Sequence, residues 1–250
     1  MFAGCLQPAI VSLFSSTGSD PLNLWSIHND PSSHSDSLIH FLHDTMNIPS
    51  NSPRQSVSFV KPPTAKGGSP NISLDQTVLH IQSLNLPKTF IRCPKRDGHL
   101  QDLGLKHPWL HIQVRNIHKE WSFEVGLVDQ SGKSGAVRCS TFQKKDRLKA
   151  SSYPPLLHVP LAFPAPSSRP LTTWSTVDLH LPSLLQQFSY IAQTSSHPDH
   201  SQSNVDLPRG SYSHISYIKI FGTCRLRRIW LGDVEVGQGV PWEFELYASS

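Results

Sequence analysis

Two clusters of basic residues are the groups in this sequence best suited to act on another molecule. Arg225, Arg227 and Arg228 stand beside Leu226, Ile229 and Trp230, and Lys144, Lys145, Arg147 and Lys149 form a second run. A guanidinium presents a planar fork of donors that matches a carboxylate or a phosphate. Such runs point to an acidic partner surface rather than to bond-making chemistry. If the C-terminal run is a strand, alternation puts Arg225 and Arg227 on one face, clear of Leu226 and Trp230. Reversing both charges is then expected to weaken binding and leave the fold intact.

Other chemistry is thinly represented. Gly132-Lys133-Ser134 looks like the end of a phosphate-binding loop. The first glycine of that motif belongs at position 127, which is Leu, and a strand rather than a helix follows. His40 and His43, and again His197 and His200, have ligand-like spacing but lie in polar stretches without cysteine partners. A closed metal site takes about four ligands. Asp129, Asp178, Asp233, Glu243 and Glu245 read as turn or strand-edge residues, and there is no Gly-x-Ser-x-Gly elbow. Cys5, Cys93, Cys139 and Cys224 are far apart, with no Cys-x-x-Cys pair, and are expected as free thiols. No catalytic, cofactor or metal site is expected.

The elements that must position the basic runs are short strands. Leu110, Ile112 and Val114 alternate with His111, Gln113 and Arg115; Trp121, Phe123, Val125 and Leu127 alternate with Ser122, Glu124 and Gly126. A period of two over such lengths predicts half-buried antiparallel strands. Asp129-Gln130-Ser131-Gly132 predicts a hairpin turn. Further strands are expected at 78–81, 90–93, 136–139, 156–161, 174–181 and on either side of Gly222-Thr223, with Leu22-Asn23-Leu24-Trp25 alternating near the N-terminus. Trp242, Phe244 and Leu246 alternate with Glu243 and Glu245. Pro182 opens the one convincing helix, to about Ile191. About ten strands and one helix predict an all-β antiparallel sandwich, a jelly roll or Greek key.

The 250 residues are 16% charged, include 21 prolines and carry a net charge of +4. Ser, Pro, His and Asn concentrate at about 28–74 and 194–211, expected as disordered insertions in a single domain spanning 1–250. Within the first, Leu38 to Leu42 is expected as a transient helical turn. A shorter Pro-rich loop covers 163–170. No apolar run reaches the roughly 20 residues of a membrane span. The N-terminus lacks the basic region of a signal peptide, so an intracellular protein is expected.

Several segments resemble one family in order and spacing. They are Met1-Phe2, Gly18-Ser19-Asp20-Pro21-Leu22-Asn23-Leu24-Trp25, Phe90-Ile91-Arg92-Cys93-Pro94, Leu103 to Leu110, Trp121 to Val125, Cys224 to Trp230 and Pro241 to Tyr247. The family they resemble is cilia- and flagella-associated protein 20, also called Bug22. The resemblance implies a sandwich like a carbohydrate-binding module and a non-enzymatic protein of the axonemal doublet inner junction. It implies tubulin and other axonemal proteins as partners, no membrane and no cofactor. It also implies a place in the cytoplasm and cytoskeleton, in the axoneme and basal body where the host builds cilia, with the nucleus left open. Tubulin is acidic, so Arg225, Arg227, Arg228, Lys144, Lys145 and Arg147 are the candidate contacts. The alternative is a sandwich that binds a glycan or a nucleic acid. A glycan module would expose coplanar aromatics, whereas Trp109, Trp121, Trp174, Trp230 and Trp242 fall mostly in the apolar phase of their strands.

Overall fold

The computed structural model describes residues 4–32, 37–49, 76–83, 85–95, 102–163, 174–194 and 207–235, with Pro241, Phe244 and Leu246. Two sheets face one another. The first holds β1 (Ile10–Ser15), β3 (Leu38–His43), β4 (Thr77–Gln82), β6 (Trp109–Arg115), β11 (Trp174–His180) and β13 (Cys224–Gly232). The second holds β2 (Ser26–His28), β5 (Phe90–Cys93), β7 (Trp121–Asp129), β8 (Ser134–Ser140), β9 (Arg147–Lys149), β10 (Leu156–Pro160) and β12 (Tyr212–Gly222). The order is β11-β6-β13-β4-β3 in the first sheet, with β1 also on β13, and β2-β5-β12-β7-β8-β10-β9 in the second. Pairing is antiparallel throughout except between β8 and β10. The fold is therefore an all-β, antiparallel-rich sandwich, with one helix among the described residues, as the alternation predicts.

The core follows directly from the period of two. Leu110, Ile112 and Val114 from β6 and Leu226, Ile229 and Leu231 from β13 share one buried cluster with Phe123, Val125 and Leu127 from β7 and Ile218 and Ile220 from β12. Each such side chain contributes about 1.5–3 kcal/mol on burial. Between β12 and β13 the chain crosses from one sheet to the other. Gly222 makes the crossing with φ of 90°, and a Cβ there would stand 2.6 Å from the Glu120 carbonyl oxygen. Only glycine suits both conditions. The expected hairpin is also present: Gly132 has φ of 83°, and its N–H donates to the Asp129 carbonyl at 3.0 Å.

Helix α1 (Leu181–Thr194) buries Leu181, Leu184, Leu185, Phe188 and Ile191, an apolar stripe at helical spacing. Gly135 on β8 leaves room for Phe188, whose ring would lie 2.8 Å from a Cβ at that position.

Three expectations need correction. Leu38 to Leu42 is not a helical turn but part of strand β3, paired antiparallel with β4 from Leu38 opposite Gln82 to His43 opposite Thr77. Part of the expected 28–74 insertion thus belongs to the sandwich; residues 50–75 lie outside the described residues. Leu22 to Trp25 is a turn, not a strand, closed by Trp25 N–H donating to the Leu22 carbonyl at 2.9 Å. Phe244 also sits in a turn, its N–H 2.9 Å from the Pro241 carbonyl. Trp242, Glu243, Glu245, the loop residues 164–173, and His197 and His200 lie outside the described residues. Of the second expected insertion, residues 195–206 do too, while Leu207 is in the core.

Candidate functional site

Strand β13 carries the arginine run, but not with simple alternation. Leu226 pairs with Val114 and Arg228 with the next residue, Gln113, so Arg227 is an extra residue in a bulge. The bulge resets the phase. Leu226, Ile229 and Leu231 point into the core, while Arg225, Arg228 and Trp230 share the outer face. Arg225 and Arg227 are therefore not a clean exposed pair.

Each of these arginines is engaged inside the molecule. Arg225 donates from Nη1 to Asp44 Oδ1 at 2.7 Å and to the Asp44 carbonyl at 3.0 Å, and from Nη2 to Asn47 Oδ1. Arg115 on β6 donates to the same Asp44 Oδ1 at 2.8 Å, and the Trp174 indole N–H donates to Oδ2 at 2.9 Å. Asp44 is fully buried, so these donors replace the water its carboxylate has lost. Arg227 is 3% exposed and donates to Gln113 Oε1 at 2.6 Å. Burial, and then the charge of Arg228, push its pKa down to about 9. Arg228 lies over the Phe244 ring at 5.1 Å, and Phe244 meets Trp230 edge-on at 5.1 Å.

Sequence reasoning missed Asp44 because it sits in a Ser- and Pro-rich stretch. Leu38, Ile39, Phe41 and Leu42 just before it were the available signal.

The lysine run has the opposite environment. Lys144, Lys145, Arg147 and Lys149 are all exposed. Arg147 and Lys149 belong to β9, the outermost strand of the second sheet, and Lys144 and Lys145 lie in the loop leading to it. Gln143 Nε2 donates to the Lys145 carbonyl at 2.6 Å, which shapes that loop. Asp146 is the one acidic residue in the run. The structure thus separates the two basic clusters. One ties the first sheet together, and the other presents charge at the far edge of the second.

The remaining candidates have structural surroundings. Ser134 begins strand β8, so Gly132-Lys133-Ser134 is a hairpin and not a phosphate loop. His40 and His80 meet edge-on across β3 and β4 at 5.4 Å, and burial lowers the pKa of both. Among the described residues no three His, Cys, Asp or Glu side chains are grouped to hold a metal ion. Cys93, Cys139 and Cys224 are buried free thiols, and burial pushes Cys93 and Cys139 up to about 12. Trp109, His111 and Trp230 stack on one another across the first sheet. Trp230 is nevertheless 1% exposed, so this is not an open sugar platform. Trp174 is likewise buried, with Leu42 and Val78.

The family model of the CFA20 domain matches residues 70–247. The chain is similar to cilia- and flagella-associated protein 20 of Chlamydomonas reinhardtii, 22% identical over 248 residues, covering 99% of this chain and 97% of that protein. It is also similar to the proteins of the same name from Caenorhabditis elegans and Caenorhabditis briggsae. Each is 25% identical over 175 residues, covering 70% of both chains.

Proposed function

The chain belongs to the CFA20 domain family, whose named relatives are cilia- and flagella-associated proteins, and we propose that it is a non-enzymatic structural protein that docks on microtubules. Its place is the axoneme, as at a doublet inner junction, and the basal body and cytoskeleton, with tubulin and axonemal proteins as partners. The observation that carries the docking surface is the exposure of Lys144, Lys145 and Arg147 at the outermost strand of the second sheet. The β13 arginines, by contrast, are held by Asp44, Gln113 and Phe244. An edge cation keeps its charge available to an acidic lattice, whereas a paired and buried one does not.

Co-sedimentation with taxol-stabilised microtubules tests this. Lys144→Glu with Lys145→Glu and Arg147→Glu is expected to weaken pelleting at least about ten-fold, the scale of losing one or two well-placed charge contacts. Wild-type binding is expected to weaken with added salt, because exposed pairs are screened beyond about 8–10 Å near physiological ionic strength. Equal pelleting of a folded triple variant would overturn the assignment of this edge.

A further inference from the structure

The outer face of the second sheet carries a row of charge that no single strand displays. Lys219 on β12 stands opposite Glu124 on β7, Glu124 opposite Arg138 on β8, Arg138 opposite His158 on β10, and His158 opposite Arg147 on β9. These are cross-strand partners, so their side chains emerge side by side on one face. Among the described residues of this row stand three cations, Lys219, Arg138 and Arg147, and one carboxylate, Glu124, which has Lys219 and Arg138 on either side; Lys149 is two residues along β9 from Arg147. Glu124 is already committed: its Oε2 accepts from Arg138 at 2.5 and 2.9 Å, and its Oε1 accepts from the Tyr217 hydroxyl at 2.8 Å.

We propose that this row is a docking track for an extended acidic peptide segment of a partner protein, laid across the strands from β12 to β9. Charge complementarity selects the class of partner. The row spans four inter-strand steps of about 4.8 Å, roughly 19 Å in all, and an extended chain covers that in about six residues. The aromatic rings on the same face select against a nucleic acid. A single-strand binder offers open rings on which bases stack. Here the Lys219 ammonium sits over the Phe90 and Phe221 rings at 4.2 and 4.8 Å, Arg138 lies 5.0 Å from the Phe221 centroid, and Phe90 stacks on His28 at 4.4 Å. The rings hold the cations in place rather than presenting themselves. The track goes beyond microtubule docking and shares only Arg147 with the edge assigned to it.

His158 reports on the track from its place between Arg138 and Arg147. Burial lowers its pKa first, the cations Arg138, Arg147 and Lys149 lower it further, and Glu124 opposes them. Carboxylates brought alongside those cations offset their field, so binding raises the pKa of His158 and the affinity increases as the pH falls toward it.

The experiment is fluorescence anisotropy with labelled oligoglutamates of four, six and eight residues, and labelled dT8 as the rival, on the full chain. Affinity is expected to rise from four to six residues, to change little at eight, and to exceed that for dT8. His158→Glu is expected to weaken the eight-residue peptide at least ten-fold. In the wild-type protein, NMR titration of His158 is expected to show a pKa raised by the peptide, a readout independent of how any variant folds. Tighter binding of dT8, an unchanged affinity in His158→Glu, or a His158 titration unmoved by the peptide would each overturn the track. Oligoglutamate binding that depends on His158 without microtubule pelleting leaves this inference supported and the microtubule reading overturned. Pelleting without oligoglutamate binding does the reverse.

Discussion

Asp44 is one carboxylate serving two guanidiniums and an indole, and its burial makes the arrangement consequential. Arg115 and Arg225 are themselves only 18% and 12% exposed at the side chain. Removing the carboxylate leaves two poorly hydrated cations side by side without the anion they share. Breaking a buried pair in that way costs on the order of 3–5 kcal/mol. Asp44→Ala is therefore expected to lower the unfolding free energy from urea denaturation by an amount in that range, with Trp174 fluorescence reporting the lost indole contact. A loss below about 1 kcal/mol would show that water reaches the site and that the cluster is a surface ion pair. Reversing Arg225 and Arg227 is no clean probe of binding for the same reason: it sets a glutamate against Asp44 and buries another beside Gln113.

Strand β3 shows how far a segment's composition can mislead about its place in the fold. It lies in a Ser- and Pro-rich stretch, yet Leu42 packs with Val78 and Trp174, and its backbone completes the edge of β4. Deleting residues 37–49 is expected to uncover Trp174 and orphan Arg115 and Arg225 together. The expected loss is at least the 3–5 kcal/mol typical of unpacking a large aromatic side chain. A urea midpoint within error of the full chain would show that β3 contributes nothing to the sandwich. Strands β6 and β7 were legible in the sequence because their alternation runs six and seven residues without interruption, and the 129–132 turn because its glycine and aspartate are required by geometry. The β13 bulge was not, since alternation is counted residue by residue and an inserted Arg227 shifts every later assignment. Nor was the clamp, because Asp44 is 181 positions from Arg225 and no local pattern records that contact. The separation of the two basic runs was beyond reach for the same reason: their residues look alike, and only the partners brought by the fold distinguish them.

Across the whole molecule, acid should weaken the fold in two stages, both of the same sign. His40, His80 and His158 are held below the ordinary histidine value, each chiefly by burial and then by arginine charges; a Gln82 hydrogen bond opposes the shift at His80 and Glu124 opposes it at His158. The unfolded chain, with histidines near about 6.5, takes up these protons first as the pH drops. Stability is thus fully present above that value and lost below it. The second stage belongs to Asp129. Burial alone would raise its pKa, but hydrogen bonds from Ser131 and from the N–H groups of Gly210, Lys133 and Arg209 outweigh it and hold the carboxyl at about 2, against an ordinary 3.8. The Arg209 and Gly210 bonds, at 3.1 and 2.9 Å, tie the β7–β8 turn to the segment entering β12, and the Lys133 bond, at 3.0 Å, closes the turn itself. Their stabilisation is present above the unfolded value and disappears as the pH falls from 3.8 toward 2. Thermal unfolding from pH 8 to 3 should therefore show Tm falling first below about 6.5 and again below about 4. His80→Gln should shrink the first step and leave the second. Asp129→Asn should lower Tm at pH 7, since an amide cannot accept all the bonds the carboxylate does, and should flatten the second step. A Tm that stays level between pH 7.5 and 5 would mean that the histidines are hydrated and that the outer surfaces of both sheets are more open than their packing indicates.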